Sequence, residues 1–290
     1  MHPLRSLLFA PGNHPRKVEK VFQVGADVVI LDLEDAVAIT EKPATRATIV
    51  DALKKQRRGL GYVRVNSLDT EFAWGDFAGV VGAWVDGIVL PKVETADQLQ
   101  TADWLLAQLE RENGMEIGSI DLLPIIETGL GLHNIEAITM AGTRLKRVSF
   151  GAGDFTRDMN LVWTGPEQEL AYARGRIVLA SRAAGIEPPI DSVFIDLKDR
   201  EHLKLSTQKA VEFGFQGKLC IHPDQVNLVN DVFTPDVSEV TRAKRIIAAF
   251  EEAEATGSAS IQVDGYFVDY PIVEKARRVL EISKRIRAAG

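Results

Sequence analysis

The sequence predicts an α/β fold: a (β/α)8 TIM barrel with a C-terminal helix–hairpin–helix extension. Three observations predict it. Eight short apolar runs recur along the 290 residues, each followed by a longer amphipathic segment. Most of the runs lack period-two alternation, which suits strands covered by helices on both faces. No glycine-rich dinucleotide fingerprint follows the first run, where "APGNHP" stands, and this favours a closed barrel over an open doubly wound sheet.

The runs are residues 6–10, 27–33, 62–66, 87–91, 122–126, 147–152, a weaker 189–194, and 218–222. Between them lie helix signals. After the first run, Asn13 or His14 can cap, Pro15 fits a first helical turn, and Val18, Val21 and Phe22 share a face. Thr95 and Gln98 form a capping-box pattern ahead of Leu99, Ala102, Leu105, Leu106 and Leu109 at helical spacing. The Ala-rich stretch 165–184 predicts one uninterrupted helix. Past the eighth run, 238–255 reads as a helix. "SIQVDGYFVDYP" reads as a hairpin around Asp264-Gly265, and 272–288 as a final helix. The expected division is a catalytic barrel over 1–232 and an extension or lid over 233–290 that contacts a neighbouring subunit.

Composition narrows the function classes. With 46% hydrophobic and 26% charged residues the chain reads as an ordinary globular protein. A net charge of −7 argues against a nucleic-acid footprint. The single cysteine, Cys220, sits in the apolar run "GKLCIHP" and reads as a small packed residue in a reducing compartment. The first apolar run is too short for a signal peptide or a membrane span, so a cytoplasmic protein is expected.

In a barrel, chemistry collects at the C-terminal ends of strands. Polar residues interrupt or end the runs there: Asn13; Asp32, Glu34 and Asp35; Arg64 and Asn66; Lys92; Glu127; Asp154; Asp191; His222 and Asp224. Glu127 and Asp154 follow consecutive strands, which lie about 4.8 Å apart, so both carboxylates can reach one ion. An oxygen-only site with few protein ligands suits Mg2+, and Mn2+ also fits. Spacing alone leaves a second reading open, in which each carboxylate caps the next helix. Gly129, Gly131, Gly151 and Gly153 suggest close approach of backbone to a ligand. Arg64 inside a strand reads as a fork for a substrate carboxylate, or as the partner of Glu34 or Asp35; the two readings are compatible. Glu34, Asp35 and Lys92 are expected to support the site by pairing with one another. Arg5, Arg16 and Lys17 are candidates for phosphates near the mouth or equally solvated charges, and for Arg16 the solvated reading is preferred.

The segments "RSLLFAPGN", "VVILDLEDAV", "YVRVNSLDT", "IVLPKVET", "LLPIIETGLGL", "VSFGAGDFTRDM" and "GKLCIHPDQV" together resemble the citrate lyase β-subunit-like branch of the HpcH/HpaI aldolase family. "VDGYFVDYPIVEKARRVL" resembles that branch's tail. The resemblance covers nearly the whole chain, in order. It implies a Mg2+-binding barrel that cleaves CoA thioesters of hydroxy acids, of the citryl-, malyl- or citramalyl-CoA type. It implies Glu127 and Asp154 as metal ligands, and Arg64 on the oxo-acid end of the substrate. It also implies His222 and Pro223 near the thioester and CoA path. Asp269 of "FVDYP" is implied as an acid or relay that reaches a neighbouring subunit's site in a homotrimer or hexamer. Other chemistries on such a site are a CoA-thioester hydrolase, a malate-synthase-like condensing enzyme, or an aldolase for free hydroxy-oxo acids. A non-catalytic barrel would be expected to lack Glu127, Asp154 or Arg64, and all three are present.

Overall fold

The computed structural model describes residues 2–289. Eight parallel strands close into a barrel in sequence order: β1 Ser6–Pro11, β2 Val28–Asp32, β3 Leu60–Arg64, β4 Gly87–Leu90, β5 Asp121–Ile126, β6 Ser149–Phe150, β7 Ile190–Asp191 and β8 Gly217–Cys220. β1 pairs with both β2 and β8, so the sheet has no free edge. The weakest sequence run, 189–194, gives a real but two-residue strand, and 147–152 likewise shrinks to two residues.

Alternation along the strands assigns the two faces. Leu7, Val28, Ile30, Tyr62, Val89, Leu123, Ile125, Ile190 and Leu219 form one buried cluster inside the barrel. Two steps beyond Ile30, Tyr62 and Ile125 on their own strands come Asp32, Arg64 and Glu127. The same inward register that fills the core therefore delivers these three at the C-terminal end.

Asp191 follows the opposite register. Its neighbour Ile190 faces in, so Asp191 faces the helices. There Arg174 donates from Nε to Oδ1 at 2.8 Å, and the Lys218 ammonium donates to Oδ2 at 2.6 Å. Arg174 also binds Glu167 at 2.9 Å, and Ser206 donates to Glu167 at 2.7 Å. All five residues are buried. Two cations matched by two carboxylates keep these charges from being stranded in a dry interior. Asp191 thus belongs to the packing of strand on helix, not to the mouth as the sequence suggested.

Glu167 also corrects the helix expected over 165–184. Its φ of 52° is left-handed, so the chain turns there, and the helix runs only from Ala171 to Ala183 after a 3-10 turn at Gln168–Leu170. Arg5 is corrected too. It precedes β1, and it donates to Asp27, which precedes β2, at 2.8–2.9 Å. It therefore lies at the N-terminal end, away from the mouth. That end is also tied by Tyr62, which donates to Asp121 at 2.6 Å, and by Arg147, which bridges Asp121 and Glu187. Cys220 is fully buried, and burial pushes its thiol up to about 12, as expected of a packed residue.

The described residues divide into two compact units, one of Leu4–Asn230 and one of 231–289 with residues 2 and 3. The second holds the helix Val237–Ala255, a hairpin of β9 Ile261–Val263 and β10 Tyr266–Val268, and the helix Tyr270–Ala289. Asp264 and Gly265 both have positive φ, 52° and 81°, as the type I′ turn requires. Ala243, Ile246, Phe250, Val268, Val273 and Ala276 form this unit's core.

Removing one carboxylate from the buried network leaves two cations sharing one anion. Asp191→Ala is expected to destabilise the protein by about 3–5 kcal/mol in denaturant unfolding. Loss of less than about 1 kcal/mol would mean that the network is not held together by charge.

Candidate active site

Glu127 directly follows β5 and is 3% exposed. The capping reading does not hold for it. Thr128 caps the helix Gly129–His133, accepting from Gly131 N–H at 3.0 Å, which leaves Glu127 free for another task. Its Oε1 accepts a hydrogen bond from the Lys92 main chain at 2.8 Å. Burial is the main reason its carboxyl is pushed up to about 8. The nearby charge of Glu34 adds to this, Arg64 opposes it, and Asp154 adds a smaller push. Arg64 and the Lys92 main chain favour the ionised form but do not outweigh burial and Glu34, and a cation would add to them.

Asp154 does not end β6. It lies in the first turn of the helix Ala152–Asp158, where the main-chain N–H of Ala152 is bound instead by Ser192 Oγ at 2.7 Å. The carboxylate pairs with Arg157 at 2.8 Å. Between the two acids, Gly151 has a plain steric reason. A Cβ there would stand 2.5 Å from Glu127 Oε2 and 2.6 Å from its Cβ. A Cβ on Gly131 would meet the Val93 carbonyl at 2.5 Å. The sequence suggested ligand contact for these glycines; the structure assigns them to close packing of the protein on itself.

Arg64 is the last residue of β3 and is held on three sides. Its Nε and Nη2 donate to the two oxygens of Asp32 at 2.7 and 2.6 Å. Its Nη1 meets Glu34 at 2.9 Å, and Asp35 stands at 4.0 Å. Phe9 stacks on the guanidinium, with its ring centre 4.8 Å away. Burial opposes the charge on Arg64, but Asp32 outweighs it and raises the pKa. Burial likewise works to raise Asp32, and Arg64 holds it below the usual carboxylate range. A guanidinium has five N–H donors, so this clamp leaves donors for a substrate anion. Of the three acids that the sequence places at this strand end, the structure makes Asp32 the main partner of Arg64, and the stacked Phe9 is one that the sequence did not signal. Asp32 was legible, since it continues the inward register of Val28 and Ile30.

Lys92 joins the cluster through its ammonium, which binds Glu34 and stands 3.8 Å from Asp35. Burial opposes the Lys92 charge, and the Glu34 contact outweighs it. The expected pairing of Glu34, Asp35 and Lys92 is therefore present. His222 stands beyond β8, which ends at Cys220, so it does not end that strand as expected. Its Nδ1 accepts from Asp224 N–H at 3.2 Å. Pro223 begins the next helix. Asp269 lies in the second unit, where its carbonyl accepts from the N–H groups of Ile272 and Val273.

No group of three or more His, Cys, Asp or Glu among the described residues is arranged as a metal cage. A pair of carboxylates completed by water or substrate oxygens is a mode that suits a hard divalent cation. Glu127, with the charges of Arg64 and Asp154 close enough to act on it, is the candidate place for a cation, and Arg64 for an oxyanion.

The family model for HpcH/HpaI aldolase/citrate lyase matches residues 5–223. The chain belongs to this family. Among the family's relatives, the citrate lyase subunit beta of Leuconostoc mesenteroides is 39% identical, covering 96% of this chain and 93% of its own length. The L-malyl-CoA/beta-methylmalyl-CoA lyase of Cereibacter sphaeroides is 35% identical, covering 99% of this chain and 96% of its own. The crystal structure of CitE from Mycobacterium tuberculosis in complex with magnesium, acetoacetate and coenzyme A superposes with a TM-score of 0.77. It is 27% identical, with 98% of both chains covered. These matches run through the whole barrel of this HpcH/HpaI member, and the barrel fold is shared with CitE.

Glu127 makes a pH dependence of definite sign. The folded protein holds this proton to about pH 8, whereas an ordinary glutamate releases it near 4.5. Its contribution to stability therefore falls as pH rises from about 4.5 to about 8, by on the order of 1.4 kcal/mol per unit. Glu127→Gln, which cannot ionise, is expected to flatten this part of the unfolding profile of the metal-free protein. An unchanged slope would show that Glu127 ionises normally.

Proposed function

We propose that this chain is a Mg2+-dependent carbon–carbon lyase. It cleaves a hydroxyacyl-CoA thioester of the citryl-, malyl- or citramalyl-CoA type to an acyl-CoA and an oxo acid. One observation carries the reading: a buried carboxyl at a strand end, pushed up to about 8 by burial and the Glu34 charge, near a second acid and an arginine with donors to spare. The relatives support it, being lyases of citrate and of malyl-CoA thioesters, and so does the CitE complex with magnesium and coenzyme A.

Glu127 and Asp154 would hold Mg2+, which supplies Lewis-acid stabilisation of oxygen atoms and eases loss of a hydroxyl proton. Arg64 binds the carboxylate of the oxo-acid portion. Asp32 and Phe9 fix its plane, so little reorientation is needed when charge shifts. The hydroxyl gives up its proton to solvent water, its carbon becomes a carbonyl, and the neighbouring carbon–carbon bond breaks. The electron pair passes into the thioester as an enolate, and a proton delivered to carbon completes the acyl-CoA. Asp269 of a neighbouring subunit is the donor or relay in this reading. His222 and Pro223 lie on the thioester side. The same proposal includes a homotrimer or hexamer, and a barrel-plus-extension division at about residue 232. It also includes a cytoplasmic location, where a lone buried thiol suits a reducing compartment.

The test is a cleavage assay over citryl-, malyl-, methylmalyl- and citramalyl-CoA with and without Mg2+. Glu127→Ala and Asp154→Ala are expected to lower kcat by about a thousandfold or more. Arg64→Lys should lower kcat/KM by about a hundredfold, because an ammonium cannot replace a clamped planar fork. Mixing inactive Glu127→Ala and Asp269→Asn subunits should restore part of the activity, since sites with both wild-type residues then form between subunits. No thioester cleaved by protein that binds Mg2+ would refute the lyase, and no restoration on mixing would place Asp269 elsewhere.

A further inference from the structure

Lys92 has a main chain that its side chain alone does not explain. Its φ is 52°, in the left-handed region, which a residue with a Cβ enters at a cost. The setting is local. β4 ends at Leu90, paired with Pro124, and the next residue, Pro91, has no N–H to continue the ladder. The N–H of Val93 donates to Ile125 O at 3.3 Å and so rejoins β5. In between, the N–H of this left-handed residue lies outside the ladder and donates to Glu127 Oε1 at 2.8 Å. The ammonium of the same residue is anchored on Glu34, with Asp35 at 3.8 Å.

We propose that Lys92 is a positioning residue that aims the Glu127 carboxylate through its main chain. Its ammonium, tied to Glu34, holds that main chain in the left-handed conformation. The inference rests on the reading of Glu127 as a Mg2+ ligand. The tether offsets the cost of the backbone. When the tether is removed and a Cβ kept, the backbone relaxes to negative φ and the N–H leaves the carboxylate. Glycine pays no Cβ cost and keeps the conformation untethered, and asparagine tolerates it better than other side chains.

The test compares Mg2+ affinity, by calorimetric titration of metal-free protein, for the parent, Lys92→Ala, Lys92→Gln, Lys92→Gly and Lys92→Asn. All four variants lack the ammonium. Ala and Gln are expected to bind Mg2+ about tenfold or more weakly, as when a support behind a metal ligand is lost. Gly and Asn are expected to stay within about threefold of the parent. If Ala does not fold, the Gln and Asn pair carries the same contrast. Equal weakening in all four would assign the effect to the ammonium and overturn the proposal, as would no weakening in any. A parent that binds no Mg2+ would instead remove the functional reading, and this inference with it.

Discussion

The constraint on which the site depends is the cost of an ionised carboxylate at the buried end of β5. Glu127 has been carried by strand register to a place where water cannot solvate it, among the charges of Glu34 and Asp154. The protein answers only part of that cost. Arg64 faces the cluster, and the Lys92 main chain binds one oxygen, yet the carboxyl stays protonated to about pH 8. In the proposed function, a bound cation would offset what remains of that cost. The other charges are balanced: Asp32 with Arg64, and Glu34 with Arg64 and Lys92.

The barrel separates holding from acting. At the N-terminal end, Arg5 with Asp27 and Arg147 with Asp121 and Glu187 tie strand starts together. Between strands and helices, Arg174, Lys218, Asp191 and Glu167 neutralise one another in a dry layer. These networks spend their charges on structure. At the C-terminal end the clamp on Arg64 fixes the guanidinium and leaves donors over. Gly151 lets the end of β6 pack against the Glu127 side chain, so the packing around that carboxylate is tight.

Much of this was legible in the sequence. The eight runs, the capping box at Thr95 and Gln98, and the Asp264-Gly265 turn carry local signals strong enough to survive packing. Arg64, Glu127, Glu34 and Lys92 stand out because charges ending buried runs need partners, and the structure brings these four together. What was not legible depended on direction, not on residue type. Asp191 interrupts an apolar run just as Asp32 does, but its side chain leaves the opposite face of the sheet, and a two-residue strand carries no register in sequence to show it. Glu167 breaks the expected helix through a left-handed turn that its helix-forming side chain conceals. The partners of Gly151 and Gly131 are protein atoms, and glycine reads the same in sequence whether a ligand or a neighbour approaches. Lys92 hides its main-chain contact behind an obvious side-chain charge.

The central claim is that Glu127 gives up its proton to take a cation. Calorimetric titration of Mg2+ into metal-free protein, in buffers of different ionisation enthalpy, counts the protons released. The account predicts about one proton per Mg2+ at pH 6.5, falling towards none at pH 9, and none at either pH in Glu127→Gln. Mg2+ binding without proton release at pH 6.5 would contradict it.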